Sequence, residues 1–111
     1  MLKTGIDIVC SITIDTVDIQ EIFFGIEEEG VPYNLIFLER DKIDKELYIN
    51  GRFEIGIGID SDGNILLNQK KYSKSYILKE NIKSSKNKLR TFGQNAARIL
   101  KGLPLKNKVE R

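Results

Sequence analysis

The sequence predicts an α/β fold, namely a single three-layer domain in which helices cover a mixed sheet of four to five strands. Three observations lead to this fold class. Segments rich in β-branched residues alternate with amphipathic ones, the first two predicted strands enclose a helix, and a later pair of strands is joined by a tight turn. At 111 residues the chain has room for one hydrophobic core, so we assign residues 1–111 to one domain.

The first three elements form a predicted parallel βαβ unit. Residues 5–14 are apolar and β-branched, which is typical of a central strand. A helix capped by Thr16 or Asp18 follows, because one apolar stripe repeats with helical spacing: Ile19, Ile22, Phe23 and Ile26. Gly30 ends this helix, and residues 33–38 form the second strand. The short connections imply that the two strands are parallel.

The middle of the chain predicts an antiparallel part of the sheet. Residues 41–50 predict a short helix and residues 53–59 a third strand. The fourth strand, 64–68, follows the turn 60–63, whose Asp-Ser-Asp-Gly sequence is a strong hairpin signal. A short fifth strand is predicted over 75–78.

The last helix has the clearest pattern. It begins after the serine pair 84–85, and its apolar stripe consists of Leu89, Phe92, Ala96, Ile99, Leu100 and Leu103. Lys101 in the last turn, with Gly102 and Pro104 after it, predicts where the helix ends. Residues 106–111 are predicted to be a frayed tail.

Two short motifs are better explained by backbone structure than by ligand binding. The acidic turn 60–63 resembles part of a calcium loop, but its glycine, Gly63, is the fourth residue of that loop instead of the sixth. Gly56 and Gly58 resemble the start of a dinucleotide-binding fingerprint, but a second strand follows where that motif requires a helix.

The composition disfavours catalysis, secretion and membrane insertion. The chain has no histidine, so the commonest general base and metal ligand is missing. A single cysteine, Cys10, permits no internal disulfide, which suits a reducing compartment. No signal peptide is predicted, and no segment reaches the ~18 apolar residues that a membrane span requires. We therefore expect a cytoplasmic protein that is not an enzyme and does not associate with membranes.

Charge is distributed unevenly along the chain. Residues 1–78 contain 8 Lys/Arg and 14 Asp/Glu, whereas residues 79–111 contain 10 Lys/Arg and 2 Asp/Glu. This asymmetry indicates an acidic partner for the basic segment. Nucleic acid is the weaker alternative, because no aromatic side chains interleave with the cations as a base-stacking surface requires.

Three consecutive carboxylates, Glu27, Glu28 and Glu29, crowd the last turn of the first predicted helix. The helix dipole already places negative charge there, so each unpaired carboxylate costs about 0.3 to 1 kcal/mol. Two interpretations stay open at this point. The turn is either a solvated acidic surface, or a cation or basic partner docks against it.

Three segments carry a family resemblance: GIEEEGVPYNL (25–35), RFEIGIGIDSDGNILL (52–67) and LRTFGQNAARILKGLPL (89–105). The matching residues are Gly25, Glu27, Glu28, Gly30, Val31, Pro32, Gly56, Gly58, Gly63, Leu89, Arg90, Gly93, Asn95, Ala96, Lys101, Leu103 and Pro104. Together the segments cover 44 of 111 residues. In this order they resemble the small subunit of the reactivating factor for cobalamin-dependent diol and glycerol dehydratases. Elsewhere only length and coarse pattern agree with that family.

The resemblance implies a non-catalytic protein that works by docking. The implied partner is a large ATPase subunit with an actin-like and chaperone-like fold, and dehydratase subunits bind only transiently. In this family the small subunit exchanges with the similar medium subunit of the dehydratase, which loosens the dehydratase and releases damaged cobalamin. The resemblance implies no cofactor of the chain's own. It does imply a magnesium ion shared with the large subunit through Glu28, and a partner interface that includes Glu27, Gly30, Arg90 and Asn95.

Two alternative functions stay open from the sequence alone. The chain could be a homologue of the dehydratase medium subunit, which would contact cobalamin and the catalytic subunit. It could also be a small basic α/β module that binds nucleic acid. The resemblance fits the cytoplasm or a bacterial microcompartment, and it does not distinguish diol from glycerol dehydratase.

Overall fold

The computed structural model describes residues 5–39, 54–69 and 76–106. The described part contains five strands: β1 (Ile6–Ser11), β2 (Tyr33–Leu38), β3 (Ile55–Ile59), β4 (Asn64–Gln69) and β5 (Leu78–Asn81). It contains two α-helices: α1 (Gln20–Glu28) and α2 (Lys86–Lys101). The predicted helix over 41–50 lies outside the described residues.

The five strands form one mixed sheet in the order β2-β1-β3-β4-β5. β1 pairs in parallel with both β2 and β3, so that Ile8 lies between Leu35 and Ile57. The pairs β3–β4 and β4–β5 are antiparallel. The predicted α/β fold, the parallel βαβ unit and the mixed sheet are therefore confirmed.

The hydrophobic core lies between one face of the sheet and the two helices. Alternate β1 residues, among them Ile6, Ile8 and Cys10, are fully buried there against apolar residues of α1 and α2. Burial raises the pKa of the Cys10 thiol to about 11, which keeps it protonated at neutral pH. The described elements form two layers, the sheet and the two helices, and the third predicted layer stays a prediction.

The N-terminal cap of α1 differs from the prediction. Asp15 caps a 3-10 turn, Thr16–Asp18, by accepting a hydrogen bond from the backbone N–H of Val17 at 3.0 Å. The α-helix then starts at Gln20 with no side-chain cap. Thr16 and Asp18 are wrong as caps because both lie inside the 3-10 turn, one turn upstream of the α-helix.

Both helices end at a glycine, as predicted. Gly30 and Gly102 each adopt φ 73°, a left-handed conformation that favours glycine. The backbone N–H of Val31 donates to the carbonyl of Ile26 at 3.4 Å, which closes the Schellman motif of α1. Leu103 and Arg98 make the same bond at the end of α2, at 2.9 Å.

Local signals also located the hairpin and the start of α2. The carboxylate of Asp60 accepts hydrogen bonds from the backbone of the turn, and Gly63 has φ 86°. The Ser85 side chain caps α2 by accepting a bond from the backbone N–H of Lys88 at 3.2 Å.

In the C-terminal half of the chain, three predicted features differ from the structure. β5 covers Leu78–Asn81 instead of 75–78, because its position is set by antiparallel pairing with β4. Leu103 does not extend the apolar stripe of α2, since it follows the helix-ending glycine and is 43% exposed. Residue 106 is not frayed, because Asn95 holds the backbone of Lys106. Residues 107–111 lie outside the described part.

α1 and α2 touch through their backbones at two glycines. A Cβ atom built on Gly25 would lie 2.2 Å from the carbonyl oxygen of Arg90, and one on Gly93 would lie 2.1 Å from that of Ile22. Real Cβ atoms do not approach backbone oxygens this closely, and backbone cannot move aside as a side chain can. The two helices can therefore pack at this distance only with glycine at both positions.

We predict that Gly25→Ala and Gly93→Ala each lower the free energy of unfolding by about 2 kcal/mol or more, because overpacking of this kind usually costs 1 to 3 kcal/mol. Urea unfolding followed by circular dichroism measures the change. In an open helix position the same substitution stabilises by about 0.5 to 1 kcal/mol. A stabilised Gly93→Ala chain would therefore contradict the backbone contact.

The control for these variants is Gly102→Ala. Gly102 has no neighbouring atom within 4 Å, so this substitution carries only the cost of a left-handed backbone. That cost is about 1 to 2 kcal/mol. Because a methyl group at Gly102 would meet no other atom, the cost of Gly102→Ala should not depend on how closely α1 and α2 pack.

Candidate functional site

The C-terminal ends of α1 and α2 lie side by side. The helices cross at Gly25 and Gly93, and beyond the crossing Glu29 at the end of α1 pairs with Arg98 and Lys101 in the last turn of α2. The helices therefore run in the same general direction, and the negative ends of their dipoles meet. The three consecutive glutamates of α1 add further negative charge at this place, which makes nearby cations necessary.

Arg90 on α2 bridges two turns of α1. Its Nε lies 2.8 Å from Oε1 of Glu21, and its Nη1 lies 2.5 Å from Oε2 of Glu28. Gln94 donates a further hydrogen bond to Oε1 of Glu28 at 2.7 Å. Glu21 and Glu28 are two helical turns apart, so the guanidinium joins separate turns on one face of α1. The Arg90 guanidinium also lies 5.5 Å from the ring centre of Phe24.

Glu29 is paired more deeply than Glu28. Its carboxylate lies 3.0 Å from Nε of Arg98 and 3.4 Å from Nζ of Lys101, and it is only 12% exposed. Lys101 also donates a hydrogen bond to the backbone carbonyl of Glu29 at 2.6 Å. It thereby satisfies a carbonyl at the end of α1 that has no partner within the helix. Burial by itself would raise the pKa of Glu29, but the hydrogen bonds and charges of Arg98 and Lys101 outweigh it and lower the pKa.

Glu27 and Gly30 complete the exposed part of this region. Oε2 of Glu27 accepts a hydrogen bond from the hydroxyl of Tyr33 at 3.0 Å, and the Tyr33 ring stacks on Phe23 with ring centres 5.2 Å apart. Burial, then the bond and charge of Glu27, raise the pKa of Tyr33. Gly30 is exposed, and a Cβ atom built on it would have no neighbour within 4 Å.

Asn95 lies away from this region and serves the fold. Its side chain is 7% exposed. Its Oδ1 accepts a hydrogen bond from the backbone N–H of Lys106 at 2.7 Å, and its Nδ2 donates to the Lys106 carbonyl at 3.2 Å. The amide therefore fixes the chain after α2, and any contact of Asn95 with a partner stays a prediction.

Five residues form one exposed surface, which we call the end patch: Phe24, Glu27, Glu28, Gly30 and Arg90. Phe24 is 39% exposed although it is aromatic. Buried aromatic and arginine side chains are the residues that most often dominate protein–protein interfaces. Phe24 was not predicted from the sequence, although an aromatic residue outside the apolar stripe of α1 was a usable signal. The end patch has the composition of a docking surface.

The structure supplies internal partners for the acidic turn. The sequence left open whether Glu27, Glu28 and Glu29 are solvated or docked against a cation, and Arg90, Arg98 and Lys101 of α2 provide cations for two of them. These cations belong to the basic segment for which an external acidic partner was expected. Glu21 and Gln94 were not predicted from the sequence as members of this site. For Gln94 the usable signal was the helical spacing of positions 90, 94, 98 and 101, which places these polar side chains in one stripe along α2.

Glu28 fits a magnesium ion only as a single ligand. Each of its oxygens accepts one hydrogen bond, and the side chain is 44% exposed, so lone pairs remain on its outer side. Magnesium in proteins is often held by one or two carboxylates together with water and phosphate. Within the described residues no three potential ligand side chains cluster. The other ligands of such an ion would therefore come from a partner, a nucleotide or water.

No described helix combines the length and the apolar character that a membrane span requires.

Comparisons with known proteins cover almost the whole chain. Residues 4–106 match the family model of the dehydratase medium subunit. A chain of a glycerol dehydratase reactivase is similar at 25% identity with a TM-score of 0.84, over 94% of this chain and 97% of that one. A chain of the diol dehydratase-reactivating factor complexed with ADP and Mg²⁺ shares the fold at 23% identity and a TM-score of 0.83, over 94% and 98%. No curated protein matches the chain.

We predict that Glu29→Gln lowers the free energy of unfolding at pH 7 by about 1 kcal/mol, because it removes a charge-assisted pair at the edge of the core. The pKa of Glu29 is lower in the folded chain than its usual 4.5. Ionised Glu29 therefore stabilises the fold above that value, and the contribution is lost as the pH falls through the lowered pKa. Urea unfolding from pH 7 to pH 2.5 should show the difference between variant and parent shrinking in the acid range.

A double-mutant cycle with Arg98→Gln is the control for this interpretation. If the pair with Arg98 carries the effect, Glu29→Gln costs less in a chain that already has Arg98→Gln. A cost that is independent of pH would show that Glu29 acts by packing alone, and a pH-dependent cost that is equal in both backgrounds would assign the effect to Lys101.

Proposed function

The chain belongs to the dehydratase medium subunit family, and from this premise we propose that it is the small subunit of a chaperone-like reactivating factor for cobalamin-dependent diol or glycerol dehydratase. In this role it docks on a large actin-like ATPase subunit and has no catalytic activity of its own. The observation that supports the proposal best is the likeness to a glycerol dehydratase reactivase chain, which spans 94% of this chain and 97% of the other.

The chemistry of the chain supports a docking role. The sequence contains no histidine. Its one thiol, Cys10, is fully buried and has a pKa of about 11, so it is neither accessible nor ionised as a nucleophile must be. Within the end patch, Arg90 pairs with Glu28, and Glu27 accepts a hydrogen bond from the Tyr33 hydroxyl.

Exchange between look-alike subunits places a physical requirement on the docking surface. Two chains compete for one large subunit, and only the difference between their affinities shifts the equilibrium. Arg90 and Glu28 are already paired in the isolated chain, so docking does not require either charge to be buried alone. Phe24 beside them supplies apolar area. Such a prearranged patch supports binding that is specific and still reversible.

Magnesium belongs to this proposal as a bridging ion. Glu28 would supply one carboxylate oxygen from this chain, and the ion would link it to anionic groups of the large subunit. Arg90 and Gln94 orient the Glu28 carboxylate and leave its outer side accessible.

We predict that the purified chain forms a stable complex with the large ATPase subunit and that this complex, with ATP and magnesium, restores activity to a dehydratase inactivated by damaged cobalamin. Phe24→Ala should weaken the complex at least 10-fold, as loss of a central aromatic anchor does. Calorimetry measures the affinity, and the recovery of dehydratase turnover measures the function.

Phe37→Ala is the matched control, because Phe37 on β2 is 40% exposed and lies outside the end patch. Equal affinity losses for both variants would contradict docking through the end patch.

The family match also favours a second function, that of a medium subunit homologue. Tight binding to the catalytic dehydratase subunit, with no binding to the ATPase subunit, would replace the proposed function by this second one.

We further predict that Glu28→Gln weakens assembly with the large subunit in the presence of magnesium by about 1 to 3 kcal/mol, the usual effect of losing a charged hydrogen bond or ligand. Without magnesium, the variant and the parent should assemble equally well. Asp62→Asn in the β3–β4 turn removes the same charge from an exposed site and should leave the magnesium effect unchanged. If Glu28→Gln has the same effect with and without magnesium, Glu28 is not a ligand.

A further inference from the structure

A second surface lies on the opposite side of α2 from the end patch. It is a cleft of about 550 Å³ with three walls. One wall is β5, the second is the face of α2 that carries Asn87, Thr91 and Asn95, and the third is the returning chain at residues 105–106. The two hydrogen bonds between Asn95 and Lys106 hold the third wall in place.

Each wall contributes one lysine to the cleft: Lys79 from β5, Lys88 from α2 and Lys106 from the returning chain. In the part of the chain that the structure describes, the ion pairs are those of Arg90, Arg98 and Lys101 with glutamates of α1. None involves the three lysines of the cleft. The described part of the basic segment therefore contains three cations that pair with glutamates of α1 and three that face a cleft without a paired carboxylate.

The one carboxylate that lines the cleft does not neutralise these lysines. Glu80 accepts a hydrogen bond from the hydroxyl of Ser84 at 2.5 Å. Lys79 approaches an aromatic ring instead, with its Nζ 6.0 Å from the ring centre of Tyr76. The lining thus keeps an excess of positive charge, which favours an anionic occupant.

The strand wall of the cleft suits an extended chain. β5 is the last strand at this edge of the described sheet, so its outer side can offer backbone groups to an added strand. Its four residues span roughly 13 Å at the usual rise per strand residue. Leu78, Phe92 and Leu105 provide apolar surface between the lysines. A strand whose side chains alternate between acidic and apolar residues would satisfy both features.

We propose that this cleft binds an acidic, extended segment of a partner protein along β5. A small anion fits the observations less well, because Lys79 and Lys88 are exposed and the buried amide of Asn95 is already bonded to Lys106. An extended segment gains contacts from all three walls and from the strand edge. This inference is independent of the proposed function, since the cleft shares no residue with the end patch.

The test uses a fluorescent peptide of about eight residues in which glutamate alternates with valine, titrated into the full chain at low salt. We expect saturable binding that weakens at least 10-fold in the variant Lys79→Gln/Lys88→Gln. The control Lys83→Gln/Lys86→Gln removes the same charge from two exposed lysines that do not line the cleft, and its affinity should change less than 2-fold. Nuclear magnetic resonance should show the largest shifts at the amides of β5.

Other outcomes would overturn the proposal. Absence of binding at low salt, or equal losses in the two double variants, would mean that the cleft does not recognise acidic segments. An oligothymidine strand that binds more tightly than the peptide, with the same dependence on Lys79 and Lys88, would assign the cleft to nucleic acid instead. Because the readout needs neither the ATPase subunit nor the dehydratase, either failure leaves the proposed function unaffected.

Discussion

The backbone contact between α1 and α2 at Gly25 and Gly93 sets the geometry on which the candidate site depends. Two helices that touch through backbone atoms bring their side chains into direct reach across the crossing. Arg90 can then bond Glu21 and Glu28 at the same time. With a methyl group at either glycine, the helices would have to move apart, and the charged groups on both sides of the contact would separate with them.

This arrangement explains how a turn with three consecutive glutamates is tolerated. The ends of two helix dipoles and three carboxylates would repel one another if they were left unpaired. Arg98 and Lys101 lie in the last turn of α2, where cations are favourable for their own helix, and they also pair with Glu29 of α1. The same two cations therefore stabilise both helix ends. Glu27 and Glu28 remain at the surface, where they can take part in docking.

The parts of the fold that the sequence predicted well depend on local signals. β2 was placed at its observed bounds, and the Ser85 cap and the glycine ends of both helices were identified, because each is determined by a few neighbouring residues. The position of β5 was missed because pairing with β4 determines it. The partners of Glu28 and Glu29 were missed for the same reason, since Arg90 and Arg98 lie more than 60 residues away in sequence. Tertiary contacts, which local patterns do not contain, determined these features.

α2 carries cations in two different surroundings. Arg90, Arg98 and Lys101 lie on the side that packs against α1, whereas Lys88 lies on the side that faces β5. A partner on the end patch and an acidic segment in the cleft would therefore occupy different sides of one helix and would not compete for the same atoms. Because Gly93 fixes α2 against α1 and Asn95 fixes the chain that follows α2, the two sides are joined by a rigid element. Binding at one side could influence the other only by displacing that helix, which the close backbone contact opposes.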